Sequence, residues 1–215
     1  HSIYDCIIDN AHNFTDEIAL VSDDLRLTFG EVPLHVNSLS RGLLNMGFEK
    51  GDRIGVLLDN CAEYALFLAA CTRIGLITVC LNTRTSADEM RKMLEQAKPK
   101  ALIFQKSYEQ QADELRELNM HRQLYCIDEA SILSSSFDQL IHEDPSPLNE
   151  SQPTVDEGWL IIPTAAVDGI PKGALLSQRN VMASVDVHLH HFGRETIKGH
   201  LVALPIFHVM GLTSA

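Results

Sequence analysis

Short apolar runs alternate with amphipathic, helix-length segments through most of this sequence, and no other property constrains its fold as strongly. Residues 18–22 and 25–28 read as a hairpin around Asp23 and Asp24. Residues 53–58, 76–81, 101–104, 123–127 and 159–162 read as strands. They are short, mostly apolar runs. Helix signals fill the gaps. Thr28 with Glu31 and Ser86 with Glu89 have the spacing of capping boxes, in which hydroxyl and carboxylate satisfy orphan backbone donors. Asn60 with Glu63 is read as a further cap. Gly47 and Gly75 stand where helices should close. Pro33 is awkward near a helix start and moves the expected start later by up to a turn. Met90, Met93, Leu94 and Ala97 form a helical stripe that reads as core. Residues 108–118 read as a polar, solvated helix after Pro99. Strands joined by helices of this length imply parallel βαβ units. The expected fold class is therefore α/β, a doubly wound, mostly parallel sheet flanked by helices.

Residues 128–157 break the alternation. Pro145, Pro147 and Pro153 sit there among acidic residues without periodicity, so a surface excursion or linker is expected. The expected division is an N-terminal α/β subdomain over 1–157, with the acidic loop at 128–157, and a chemistry-bearing segment over 158–215. Charge divides the same way. The 215 residues carry a formal charge of −12, but residues 158–215 alone balance to +1. That acidity argues against nucleic acid and anionic lipid as partners, which need clustered Lys and Arg. The five cysteines contain no C-x-x-C pair and lie mostly in apolar runs, as reduced, buried thiols of a cytoplasmic protein would. The longest apolar run, at 65–71, is far below the ~20 residues of a membrane span, and no signal peptide is recognisable. His1 in place of Met suggests that the chain's natural start lies upstream.

Two stretches carry chemistry. Thr164-Ala165-Ala166-Val167-Asp168-Gly169-Ile170-Pro171-Lys172-Gly173 follows the strand at 159–162, and Ser177-Gln178-Arg179-Asn180 then looks like a helix start capped by Ser177. A loop between strand and helix with two glycines and a lysine can wrap phosphate oxygens with backbone N–H groups and a point charge. It is not a Walker loop, because Pro171 precedes the lysine and Gly173 follows it. The second stretch is Leu204-Pro205-Ile206-Phe207-His208-Val209-Met210-Gly211, after an expected strand at 201–204. Gly211 there would allow close packing. His188, His190 and His191 lack the i, i+4 spacing of a paired metal site and read as a solvated helix end.

Together these stretches resemble the adenylate-forming superfamily, which includes acyl-CoA synthetases, aryl-CoA ligases, luciferases and peptide-synthetase adenylation domains. The family's phosphate loop reads Tyr-Thr-Ser-Gly-Thr-Thr-Gly-x-Pro-Lys-Gly, followed by Ser-His-x-Asn. It is matched at Thr164, Gly169, Pro171, Lys172, Gly173, Ser177 and Asn180. The motif Leu-Pro-x-Phe-His-x-x-Gly is matched at every fixed position. Leu27-Thr28-Phe29, the run Gly47 to Ile54, Asn60 with Glu63, and Gly75 to Asn82 are similar to upstream family stretches. The loop also departs from the pattern. Ala165, Ala166, Val167 and Asp168 replace Ser, Gly, Thr and Thr, and Pro163 and Gln178 replace the tyrosine and histidine. Asp168 would repel phosphates unless it points away or holds a cation; otherwise the loop is not a standard ATP grip.

The resemblance implies an N-terminal part of an AMP-forming acid–thiol ligase. ATP, Mg2+ and CoA would be its cofactors and a carboxylic acid, by family frequency a long- or medium-chain fatty acid, its substrate. It implies a catalytic role near the carboxylate for His208 and a nucleotide-phosphate role for Thr164, Asp168, Gly169, Lys172 and Gly173. On this reading 158–215 also begins the acyl pocket, the rest of the family fold is absent, and the fragment alone is inactive and self-associates through exposed apolar surface. The alternatives are a non-catalytic adenylation-like binding module with a degenerate loop, or an unrelated phosphate-binding α/β domain.

Overall fold

A computed structural model describes residues 1–116, 123–128, 134–164, 172–193 and 199–214. Helix α1 (Ile3–Asn13) precedes a hairpin of β1 (Ile18–Ser22) and β2 (Leu25–Thr28), whose turn holds Asp23 at φ 48°. Helix α2 (Val32–Asn45), β3 (Arg53–Leu57), α3 (Ala62–Ile74), β4 (Ile77–Cys80), α4 (Ala87–Ala97) and β5 (Ala101–Phe104) then alternate. A 3-10 turn at Lys106–Tyr108 leads into α5 (Glu109–Arg116) and β6 (Gln123–Cys126). The short β7 (Ser135–Ser136), β8 (Gly158–Pro163), β9 (Gly173–Ser177), α6 (Gln178–Phe192) and α7 (Val209–Ser214) complete the described elements.

The main sheet has the order β7-β6-β5-β3-β4-β8-β9. Every pairing in it is parallel except β8–β9. Strands β3, β4 and β5 at its centre are buried on both faces. Ile54, Val56 and Ile103 face one core with Leu43, Tyr64, Phe67 and Trp159. Leu57, Leu102 and Phe104 face the other with Met90, Met93, Leu94 and Leu115. The doubly wound sheet expected from the alternation is thus the one observed.

Local signals hold where they are local. Ser86 accepts from Glu89 N–H at 3.3 Å while the Glu89 carboxylate accepts from Ser86 N–H at 3.1 Å. Ser177 and Asn180 make the same reciprocal pair. Gly75 ends α3 at φ 76°, in the left-handed region. Thr28 and Glu31 exchange the expected bonds, but the later start expected from Pro33 is not seen: α2 starts just after Glu31 with Pro33 in its first turn, where no N–H is missed.

Three expectations are corrected. The residues after Lys172 are strand β9, antiparallel to β8, so the motif loop joins two strands rather than a strand and a helix. Residues 201–204 form no strand. Asn60 does not cap α3, which has no side-chain cap.

The 134–157 stretch is also more than a linker. Phe137, Leu140 and Leu148 are buried against the helical layer. Its carbonyls are held by side chains: Asp144 and Ser146 by Arg41, Pro145 by Asn37, and Leu148 and Glu150 by the buried Arg73. Gly42 lets it pass, since a Cβ there would lie 1.8 Å from the Leu140 carbonyl oxygen.

Candidate active site

The carboxyl ends of β4 and β8 open into a cleft of about 310 Å³. Leu81, Met90, Met93, Pro163 and Phe207 give it apolar walls, and Asn82, Thr85, Glu89, Thr164 and His208 give it polar groups. Ligand sites of open α/β sheets lie outside the carboxyl ends of strands for this reason: loops there converge and strand side chains no longer fill the space.

Thr164 is the hinge post of the motif loop. Its N–H and hydroxyl both donate to the Lys172 carbonyl, at 2.8 and 3.1 Å. The loop's two ends are therefore pinned together, and Lys172, exposed, directly precedes β9. Gly173 packs closely; an added Cβ would lie 2.5 Å from Ile161 Cγ2 and 2.9 Å from Met93 Cε. Asp168 and Gly169 lie outside the described residues.

His208 lines the same cleft. It is exposed, while Ile206 and Phe207 beside it are buried. Its Nδ1 accepts from Met210 N–H at 3.3 Å, so the ring hydrogen of the neutral form sits on Nε2. Gly211 permits the turn: a Cβ there would lie 2.1 Å from the Pro205 carbonyl oxygen. The structure thus brings Thr164 and His208 to one cleft, with Lys172 bonded to Thr164.

The other groups near the cleft are chemically quiet. Burial pushes the Cys80 thiol up to about 12, so it is not a nucleophile at neutral pH. The Glu89 carboxylate accepts from both N–H and hydroxyl of Ser86. His188, His190 and His191 are exposed on α6. Among the described residues no cluster of His, Cys, Asp and Glu could hold a metal ion, and no helix is long and apolar enough to cross a membrane.

The sequence reading missed what Asn60 does. Its side chain bonds Val202, Leu204 and Ile206 rather than a helix end. It also assigned Met90 and Met93 to the core alone. They are buried and also line the cleft.

The chain is thus a doubly wound α/β domain in which residues of both sequence motifs, Thr164 and His208, line one cleft. The model of the AMP-binding enzyme family matches residues 8–215, and the chain belongs to that family. It superposes with a TM-score of 0.91 on a protein assigned as a long-chain-fatty-acid CoA ligase from Rhodopseudomonas palustris. The two are 30% identical, over 99% of this chain and 53% of that one. It is 29% identical over 199 residues to 4-coumarate–CoA ligase 3 of Arabidopsis thaliana, covering 87% of this chain and 34% of the relative. It is 25% identical over 192 residues to a 2-succinylbenzoate–CoA ligase of Oceanobacillus iheyensis, covering 89% and 37%. The chain therefore spans little more than a third of the length of these curated relatives.

Proposed function

We propose that this chain is the phosphate-gripping part of an acid–CoA ligase whose substrate is an apolar, by preference fatty, carboxylic acid. The observation that carries the reading is the shared cleft: Thr164 of the loop motif and His208 of the second motif, far apart in sequence, line one space with largely apolar walls. In the reaction, a carboxylate oxygen of the acid attacks the α-phosphorus of ATP, the bond to the β-phosphate breaks, and pyrophosphate leaves. The thiol sulfur of CoA then attacks the acyl carbonyl, giving the thioester and releasing AMP and the thiol proton.

The residues fit these ligands. Lys172 supplies an exposed cation where the loop meets β9, suited to neutralising phosphate oxygens. Among the described residues Glu89 is the one carboxylate lining the cleft, and its bonds to Ser86 draw its charge toward the α4 N-terminus. Mg2+, when bound, would neutralise phosphate charge as it does in other phosphoryl transfers. His208, holding its hydrogen on Nε2, can donate to the acid's carboxylate. Phe207, Met90 and Met93 would meet its apolar tail.

The replacement of Ser, Gly, Thr and Thr by Ala165, Ala166, Val167 and Asp168 favours a second reading, a binding module that no longer adenylates. Hydroxylamine trapping of acyl-adenylates, run on the natural gene product with fatty, aryl and short-chain acids, separates the two. Hydroxamate formed with fatty acids supports the ligase and its preference. Hydroxamate with aryl acids alone refutes the preference. No hydroxamate with any acid favours the binding module.

A further inference from the structure

Residues 201–204 read as a strand in sequence yet pair with no strand among the described residues. Instead Asn60 takes a strand's place. Its Nδ2 donates to the Val202 and Leu204 carbonyls at 3.1 and 2.8 Å, and its Oδ1 accepts from Ile206 N–H at 2.8 Å. Carbonyls at 202 and 204 and the N–H at 206 recur every second residue, as a ladder partner would meet them. One side-chain amide thereby satisfies three backbone groups and uses both donors and an acceptor.

Asn60 is itself firmly placed. It follows β3 at the point where the chain reverses direction across the sheet, with β4 on one side of β3 and β5 on the other. The adjacent Asp59 is held through its N–H by the Gln105 side chain and through its carboxylate by the Tyr108 hydroxyl at 2.8 Å. The post therefore stands on two strands.

What it holds is a partition. Phe207 lines the acid cleft and also a second, smaller cleft of about 140 Å³ whose walls include Asn60, Arg84 and Pro205. We infer that Asn60 is a positioning residue for acid selection: by fixing residues 202–206 it keeps Phe207 as the wall between the two clefts and so sets the room for the acid. The inference rests on the proposed ligase reading. ATP recognition is assigned to the loop around Lys172, and Lys172 itself lines neither cleft.

The test compares wild type with Asn60→Ala, Asn60→Asp and the distant control Arg41→Ala, which also removes side-chain bonds to backbone carbonyls. Amide hydrogen exchange is read over residues 202–212, and KM for acid and for ATP is read by pyrophosphate exchange on the natural gene product. In Asn60→Ala, exchange at 206–212 and KM for the acid should each rise about tenfold or more, the worth of one lost hydrogen bond. KM for ATP should stay within about twofold. Asn60→Asp turns a carboxylate oxygen toward the two carbonyls that Nδ2 served, so it should disturb both readouts at least as much as Asn60→Ala. Arg41→Ala should change neither. Unchanged amide exchange in Asn60→Ala overturns the clamp. Acid and ATP KM values rising together overturn the selective role. A wild type without pyrophosphate exchange refutes the ligase reading and the selective role with it, while the amide exchange still decides the clamp.

Discussion

Gly211→Ala should weaken this protein although alanine is the better helix former. Gly211 lies inside α7, where replacing Gly by Ala ordinarily stabilises by about 1 kcal/mol. Here the new Cβ would lie 2.1 Å from the Pro205 carbonyl oxygen, 2.5 Å from its carbon and 2.7 Å from the Leu204 oxygen. A carbon–oxygen contact relaxes at roughly 3.3 Å, so the backbone at 204–205 or the helix must move by about 1 Å. Backbone cannot turn away as a long side chain can. The Pro205 carbonyl also accepts from His208 N–H at 3.0 Å, so the displacement passes directly to the cleft. Overpacking of this kind costs about 1–3 kcal/mol, which exceeds the propensity gain. Contacts this short put the cost near 3 kcal/mol, so the net loss is about 2 kcal/mol and Tm falls by about 4–8 °C for a domain of this size. A shift of ~1 Å in a substrate-orienting group lowers kcat/KM by up to about 100-fold. Thermal unfolding by circular dichroism and pyrophosphate exchange read the two effects. An unchanged or raised Tm with unchanged kcat/KM would refute the reasoning.

Other outcomes follow from the same structure. Gly42→Ala should likewise lower Tm, because its Cβ would meet the Leu140 carbonyl oxygen at 1.8 Å, and amide exchange should rise across residues 137–148. Thiol titration at pH 8 should label Cys6 first, though slowly because desolvation and the Asp9 and Asp5 carboxylates push its thiol up, and the other four cysteines only on unfolding. Cys6 is exposed, whereas Cys71, Cys80 and Cys126 are buried and burial pushes Cys61, Cys71 and Cys80 up to about 12. Stability should be flat from pH 7 to about pH 5 and fall on further acidification. Asp5 is held low by Ser2 N–H, Asp144 by Ser146 N–H, and Glu157 by the Lys50 ammonium at 2.7 Å. Their stabilisation is present above the ordinary values of 3.8 and 4.5 and is lost as pH falls through the lower folded values. A melting temperature that rises between pH 5 and pH 3 would contradict that sign.

Much of the fold was legible because its signals are short-range. Ser86 and Glu89 are three residues apart, Gly75 reports its own φ, and the stripe Met90, Met93, Leu94 and Ala97 lies on one helix face. What was not legible depends on partners far away in sequence. β9 exists because residues 173–177 find β8, which the glycine-rich run before them hides. Asn60 has cap chemistry and cap spacing, but its three partners lie more than 140 residues on. The acidic 134–157 stretch lacks periodicity because Arg41, Asn37 and Arg73, rather than a ladder, satisfy its carbonyls. At the site, the two motifs were readable as motifs. Their meeting across a cleft floored by α4 was not, since only the sheet order β3-β4-β8 brings them together.

The central claim is that the loop closed by Thr164 and Lys172 grips the phosphates of ATP while His208 faces the acid. Acid-dependent exchange of labelled pyrophosphate into ATP, measured for the natural gene product and its Lys172→Ala variant, tests it most directly. The account predicts exchange that requires an apolar acid and falls by about 100-fold in Lys172→Ala, the loss typical of removing one group that neutralises transition-state charge. Exchange absent from the wild type with every acid, or undiminished in the variant, would contradict it.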